Sequence, residues 1–255
     1  MNTSDRFSDR VEDYVRYRPS YPEAVFASID RHVAERFSPT ASFARVAADM
    51  GSGTGLFTAG LLARGWTVHA VEPSTNMRAA AEHSLAEQAG FISHGATAEV
   101  TGLSESCVSL VTAAQAFHWF DPVRCHAEWK RILMPRGLVC LLWNARLLET
   151  PFMQDYEAML LTFLPDYAHL SHRRIDEAFL RRFLTAGSTI EHFPNHQSCD
   201  WEHLLGRFLS SSYVPKPGTP LHEPIVTELK RLFDQHQVAG QIDFAYNTEM
   251  AIGSL

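Results

Sequence analysis

Two carboxylates and three glycines carry the strongest chemical signal in this chain. An apolar run, Val46-Ala47-Ala48, ends in Asp49. Gly51, Gly53 and Gly55 then follow at every second position, and Glu72 closes the next apolar run, Thr67 to Val71. Glycine admits positive φ and lets a ligand approach the backbone where a Cβ would block it. A carboxylate about 20 residues past the first glycine is placed to accept hydrogen bonds from ribose hydroxyls. A Gly-rich turn at the carboxyl end of a first strand is where doubly wound sheets bind nucleotides. A dinucleotide fingerprint would read G-x-G-x-x-G. Here position 56 is Leu, and the third glycine falls one residue early.

A second group follows the apolar run that ends at Ala114. It reads Gln115-Ala116-Phe117-His118-Trp119-Phe120-Asp121. Phe117, Trp119 and Phe120 could stack on a cation or pack in a core. His118, with an ordinary pKa of about 6.5, could act as a general base or serve a structural role. Tyr14 is a second candidate base. Arg16, Arg18, Arg146 and Arg207 could grip an acidic molecule bidentately, or be surface and structural arginines. A metal site is not expected: Pro194 separates His192 from His196, and His169 and His172 lack an acidic or Cys partner at ligand spacing. Ser20 and Ser52 lack a nucleophile-elbow context.

The elements that must position these residues alternate. Prolines at 19 and 22 forbid a continuous helix there, and a helix is expected from Pro22 to about Phe37. Strands are expected over 45–50, 67–72, 91–94, 109–114 and 138–143. Between them, helices are expected over 55–64, from an N-cap at Ser74 to about Gln88, and over 121–134, stopped by Pro135-Arg136-Gly137. Strand alternating with helix predicts a doubly wound α/β fold with parallel strands and right-handed crossovers. After Asn144 the rhythm breaks. Helices are expected over about 148–170, 176–186, 201–212 and 223–235, with a short strand over 188–192 and a terminal one over 241–252. Helices inserted between late strands suggest a cap over the site.

Composition narrows the class. The chain has 255 residues, 45% hydrophobic and 20% charged, with a net charge of −7. Without a Lys/Arg run it offers little to phosphates, so nucleic acid is not an expected partner. Four dispersed cysteines, Cys107, Cys125, Cys140 and Cys199, form no C-x-x-C pair and suit a reducing compartment. No apolar run is long enough to span a bilayer. A cytoplasmic protein without a membrane partner is expected, and its oligomeric state is not legible.

The G-x-G-x-G turn between Asp49 and Glu72 resembles that of the class I S-adenosylmethionine-dependent methyltransferases. Tyr17-Arg18-Pro19-Ser20-Tyr21-Pro22 and the segment from Gln115 to Asp121 are similar to a small-molecule subgroup of type 11, the trans-aconitate methyltransferase-like proteins. The resemblance implies a Rossmann-like sheet of seven mostly parallel strands with the last antiparallel, plus a helical cap, in a single domain. Residues 1–40 would be an N-terminal lid and helix, 41–145 the cofactor-binding core, 146–240 the cap insertions with strand 6, and 241–255 the terminal strand. Gly51, Gly53 and Gly55 would line the methionine and ribose end of the cofactor, and Asp49 would hold the loop and approach the methionine amino group. Glu72 would bind the ribose, with Pro73, Ser74 and Met77 beside the adenine. Thr97, Ala98 and Glu99 would meet the adenine edge, although relatives often carry Asp at 97 and Leu at 100. Gln115 would face the methionine moiety.

The activity so implied is methyl transfer by in-line displacement to a small molecule, with a carboxylate as one acceptor, and with no metal. Tyr17, Arg18, Trp119, Arg146 and Arg207 are the candidate substrate contacts, and His118 and Tyr14 the candidate catalytic groups. Two other functions stay open: a non-catalytic protein that binds the same cofactor, and a nicotinamide-dependent oxidoreductase. Residues 6–22, rich in aromatic and Arg side chains, are expected to form a lid ordered by the cofactor.

Overall fold

The structure is a computed structural model that describes residues 16–37, 45–165, 167, 175–185 and 187–255. Its elements in chain order are α1 (Glu23–Arg36), β1 (Val46–Met50), α2 (Leu56–Ala63), β2 (Thr67–Val71), α3 (Thr75–Leu85), β3 (Phe91–His94) and β4 (Val108–Ala114). They continue with α4 (Pro122–Ile132), β5 (Leu133–Arg146), α5 (Pro151–Phe163), α6 (Glu177–Phe183), β6 (Thr189–Cys199), α7 (Trp201–Leu209), α8 (His222–His236) and β7 (Ile242–Gly253).

The strands form one seven-stranded sheet in the order β3-β2-β1-β4-β5-β7-β6. The first five pair in parallel, and β7 runs antiparallel to both β5 and β6. This is the Rossmann-like architecture with its last strand reversed. Alternating side chains feed two cores, as a pleated strand requires. Leu138, Cys140 and Leu142 of β5 pack with α1 and α2, while Val139 and Leu141 pack with α4 and α6 on the other face. Trp129 anchors the second core. It is fully buried, and its indole donates to the Ala98 carbonyl at 2.9 Å.

A third core lies at the sheet's far end. There α5, α7 and α8 cover Ile242, Phe244 and Tyr246 at the start of β7. These three helices are the inserted elements that the broken rhythm announced. No helix among the described residues is long and apolar enough to cross a membrane.

Three local readings differ from expectation. Pro135-Arg136-Gly137 does not end a helix with a loop, because α4 stops at Ile132 and β5 begins at the next residue. The irregularity is absorbed in the sheet, where the β4–β5 register shifts between Val108 and Leu110 and Arg136 adopts a φ of 73°. β6 runs on to Cys199 with Pro194 inside it. A proline is tolerated because β6 is an edge strand, where one missing N–H breaks no inner ladder. Ser74 does occupy the N-cap position of α3, yet its side chain makes no capping bond.

Of the expected lid, residues 6–15 lie outside the described residues. The remainder is docked. The Tyr17 ring sits over Gly206 of α7, and Gln197 Nε2 donates to the Tyr17 carbonyl at 3.0 Å. A Cβ at position 206 would lie 2.2 Å from two Tyr17 ring carbons. Gly206→Ala should therefore gain about 1 kcal/mol of helix propensity but lose about 1–3 kcal/mol to overpacking, expelling Tyr17. Trypsin cleavage after Arg16 should then be faster than in the parent protein. Unchanged cleavage would show that Tyr17 does not dock on α7.

Candidate active site

The Gly-rich turn links β1 to α2, and all three of its glycines have positive φ: 64° at Gly51, 57° at Gly53 and 84° at Gly55. Two of them are needed for close packing. A Cβ on Gly51 would lie 2.8 Å from the Ala116 side chain, and one on Gly55 would lie 2.7 Å from Leu85 Cδ1. Gly53 differs. Around a Cβ there the nearest atom is the Gly51 carbonyl oxygen at 4.0 Å, so its side faces open space. The turn thus exposes bare backbone at its middle glycine.

Glu72 stands at the end of β2 with 8% of its surface exposed. Its carboxylate accepts from the Gly53 amide at 3.0 Å and from the Ser74 amide at 2.8 Å. It therefore ties the turn after β1 to the turn after β2. Each carboxylate oxygen has further acceptor capacity. The Ser74 hydroxyl beside it is buried and has no hydrogen-bond partner, which leaves a polar atom waiting for a ligand. Burial pushes the Glu72 carboxyl above its ordinary pKa, against the pull of the Ser74 and Gly53 amides and of Arg78.

Asp49 lies beneath the turn, 1% exposed. Its two oxygens accept from the hydroxyls of Thr58 on α2 and Thr112 on β4, both at 2.7 Å. Its bonds thus go to side-chain hydroxyls in two neighbouring elements. Burial raises the Asp49 pKa to about 6; the two hydroxyls oppose the rise and the nearby Glu72 charge adds to it. Two buried carboxylates under one glycine turn create a negative potential that a cationic group would relieve.

The other predicted residues fall into place around this centre. Pro73 is exposed and Met77 buried on α3. Thr97 pairs with Val100 in an isolated bridge, and the Ala98 carbonyl accepts from Trp129. Glu99 accepts from the Asp121 amide at 3.0 Å. Gln115 follows β4 with a φ of 57°, a left-handed backbone that costs a non-Gly residue about 1–2 kcal/mol. Such strain concentrates at functional sites. Phe117 is a core residue, 1% exposed and packed on Trp129 and Phe183. Phe120 lies against the Gly51 position. His118 and Trp119 are half-buried with ring centroids 4.8 Å apart. Tyr14 lies outside the described residues.

The candidate substrate contacts divide. Tyr17, Arg18, Arg146 and Arg207 gather around the cap. Arg18 donates to the Ser210 carbonyl at 3.0 Å, next to α7, which carries Arg207. Arg146 ends β5 directly opposite Tyr246 of β7, and Arg207 donates to that Tyr246 hydroxyl. Trp119 instead sits on the turn after β4. Arg16 is exposed and ion-paired with Glu202 at 2.8 Å. Among the described residues no group of His, Cys, Asp and Glu is arranged to hold a metal.

Comparison with known proteins agrees with this geometry. Residues 48–141 match the family described as methyltransferase domain. Over this stretch the chain is similar to methyltransferase domains. The match begins in β1 and ends in β5, so it spans the turn, Asp49, Glu72 and Gln115. An uncharacterised methyltransferase of Mycobacterium tuberculosis is 38% identical over 141 residues, which are 55% of this chain and 52% of that protein. The chain thus spans about half the length of the curated relatives it matches. Among solved structures, one described as a candidate type II methyltransferase from Anaeromyxobacter dehalogenans superposes with a TM-score of 0.65 at 23% identity, covering 93% of this chain and 98% of its own. The phosphoethanolamine N-methyltransferase 2 of Haemonchus contortus, solved with phosphomonomethylethanolamine and S-adenosylhomocysteine, has a TM-score of 0.50 at 16% identity, covering 97% of this chain and 58% of its own. At such identities the structural likeness speaks for the fold. The match supports a methyltransferase over the nicotinamide alternative.

The Asp49 environment makes a signed prediction. Its carboxyl is easier to protonate in the folded chain than in the unfolded one, where the pKa is near 3.8. The penalty for carrying the charge is therefore absent below about pH 3.8, grows up to about pH 6, and stays constant above. Two pKa units correspond to about 3 kcal/mol. Asn can accept from one threonine and donate to the other, so Asp49→Asn should stabilise the domain by about 1–3 kcal/mol at neutral pH. That advantage should shrink as the pH falls below the folded pKa. Urea denaturation of both proteins across this range measures it, and a variant less stable than the parent at neutral pH would contradict the assignment.

Proposed function

We propose that the chain is an S-adenosylmethionine-dependent methyltransferase acting on a small-molecule acceptor. The observation that carries this is the Glu72 carboxylate, buried, bonded to the Gly53 and Ser74 amides, and set beside an unpartnered Ser74 hydroxyl. The fit to S-adenosylmethionine is good on three counts. Glu72 and Ser74 suit the ribose hydroxyls, the open side of Gly53 suits a close-lying ligand, and the two raised carboxyls suit a cation.

When bound, S-adenosylmethionine supplies a methyl group on a sulfonium, ready for displacement. The residues of the chain then bind, orient and exclude water. Glu72 holds the ribose, while Pro73 and Met77 with the 97–99 segment border the adenine. Gly51 to Gly55 would admit the methionine moiety, and Gln115, on its left-handed backbone, would face it. Alignment of this kind lowers a displacement barrier by about 7–11 kcal/mol. An anionic acceptor requires no base. An acceptor with a proton to lose requires one, and His118 is the first candidate, Tyr14 the second.

Replacing Glu72 measures the assignment directly. Glu72→Gln keeps an acceptor for one loop amide but gives up the charge, and should weaken S-adenosylmethionine by about 1.5–3 kcal/mol in calorimetry. Gly53→Ala should weaken it as well, since the methyl group enters the open face while the left-handed backbone costs about 1–2 kcal/mol. Parent-like affinity in both variants would sink the proposal. A folded protein that binds S-adenosylmethionine but transfers methyl to no small acid, phenol or quinone-like compound would favour a non-catalytic binding protein. Nucleic acid is not the expected acceptor of a chain with net charge −7. Filter binding to DNA and RNA at physiological salt should detect no complex.

A further inference from the structure

Arg78 of α3 bonds to the backbone of Glu72 and leaves its carboxylate alone. Its Nη1 donates to the Glu72 carbonyl at 3.1 Å. Its Nε faces Glu82 Oε1 at 3.5 Å, and the Ser93 hydroxyl of β3 donates to that same oxygen at 2.7 Å. The guanidinium lies against the backbone of Gly95, just past β3. A Cβ at position 95 would come within 3.1 Å of both Arg78 Cζ and Nη1. Gly95 is exposed and its φ is outside the left-handed region. Its bare backbone therefore serves space for Arg78 and not an unusual conformation.

This one side chain joins three segments: α3, the exit of β2 at Glu72 and the exit of β3 at Gly95. The two exits also meet directly. The Glu72 and Ala96 amides both donate to the His94 carbonyl, each at 3.0 Å. Residues 97–99 follow at once. An ion pair with the Glu72 carboxylate would neutralise it more directly, but would crowd the oxygens that already serve the Gly53 and Ser74 amides. Bonding the carbonyl instead brings a positive charge close and leaves the remaining lone pairs of the carboxylate open. Arg78 draws the Glu72 pKa down while burial pushes it up.

We infer that Arg78, seated on Gly95, is a positioning residue for the nucleoside half of the cofactor, holding the Glu72 turn against the 95–99 segment so that ribose and adenine meet both. This rests on the methyltransferase proposal and adds to it a residue that acts through Glu72 and not by touching the ligand. The contacts of Arg78 all lie at the β2 and β3 exits, away from the glycine turn that admits the methionine moiety. Its loss should therefore be felt equally by every ligand that carries the nucleoside. Around Glu72 the charged and titratable groups are Asp49 from β1, Arg78 and, through it, Glu82 from α3, and the imidazoles of His69 on β2 and His94 on β3. Those two imidazoles pair with each other at 2.8 Å, and burial holds both below the ordinary imidazole pKa.

Calorimetry on the full chain tests this with adenosine, S-adenosylmethionine and S-adenosylhomocysteine as probes. Arg78→Gln should weaken all three by the same factor, about 2- to 10-fold, as loss of one hydrogen bond implies. The pH profile adds a readout that a merely structural arginine would not move. Ribose hydroxyls donate to the ionised Glu72, so adenosine affinity should hold above the Glu72 pKa and fall as the pH drops through it. Adenosine has no cationic group, which keeps the direct pull of Asp49 on a cation out of the measurement. In Arg78→Gln the fall should begin at higher pH, and Arg78→Lys, which keeps the charge, should restore it. Gly95→Val crowds the guanidinium and should weaken adenosine in the parent but add nothing in Arg78→Gln, as coupled residues do. It keeps the inference testable if Arg78→Gln folds poorly. Parent-like adenosine affinity in Arg78→Gln, or an unmoved pH profile, overturns the inference. Weakening of S-adenosylmethionine alone overturns the nucleoside assignment. A parent protein that binds adenosine but not S-adenosylmethionine counts against the methyltransferase proposal, and the adenosine titrations still decide the role of Arg78. A parent that binds none of the three overturns both.

Discussion

The structure depends first on a buried carboxylate. Asp49 sits near the end of β1 with a threonine hydroxyl on each of its oxygens, one from α2 and one from β4. That arrangement fixes α2 and β4 relative to β1, and so constrains the course of the glycine turn. The turn has little freedom left. Gly51 is pressed on Ala116 and Phe120, Gly55 on Leu85, and the Gly53 amide is held by Glu72. A backbone that must present a bare face to a ligand is immobilised on every other side. This is preorganisation at the cost of a buried charge, visible in the raised Asp49 pKa.

Glu72 carries the same logic one strand further. Its carboxylate does not simply await a ribose; it already joins two loops that would otherwise be independent. A ligand that adds bonds to Glu72 adds them to a group whose position is fixed, so little ordering entropy is lost on binding. The unbonded Ser74 hydroxyl next to it has the opposite character. In an ordinary helix start this hydroxyl would cap α3, and its withholding leaves an acceptor and donor free at the edge of the site.

What was legible in the sequence follows from how local each signal is. The strand–turn–helix around Gly51 to Gly55 and the acidic end of β2 came through because period, glycine spacing and the family resemblance all agree there, while the reversed last strand was implied by the resemblance alone. The partners of Asp49 did not. Thr58 and Thr112 sit inside apolar runs and look like ordinary helix and strand residues; only the parallel pairing of β1 with β4 brings Thr112 alongside. The fate of Pro135-Arg136-Gly137 was hidden for a similar reason. Proline and glycine punctuate a helix in one dimension, but a register shift against β4 lets a strand absorb them. The Ser74 cap was read from residue type, which gives the position of a cap and says nothing of whether the hydroxyl is used. Arg146 and Arg207, 61 residues apart in sequence, could be proposed as acid-gripping residues, but nothing local shows that both meet Tyr246.

Two regions of the sheet carry buried groups of opposite charge, and this is a consequence of topology. The strands that feed the glycine turn end in acids, Asp49 on β1 and Glu72 after β2, while β5 ends in Arg146 and the inserted helix α7 brings Arg207 beside it. In a chain with net charge −7, a buried basic cluster does not arise from overall composition. It is placed against the prevailing sign, at the one end of the sheet where the inserted helices can shield it from water. Buried charges of this kind act strongly on any ionic group beside them. Low dielectric strengthens such forces, so the apolar cover supplied by α5, α7 and α8 does electrostatic as well as packing work. The segment from Tyr17 to Tyr21 runs between these regions: Gln197 of β6 donates to the Tyr17 carbonyl, and the Tyr21 ring meets Phe57 of α2.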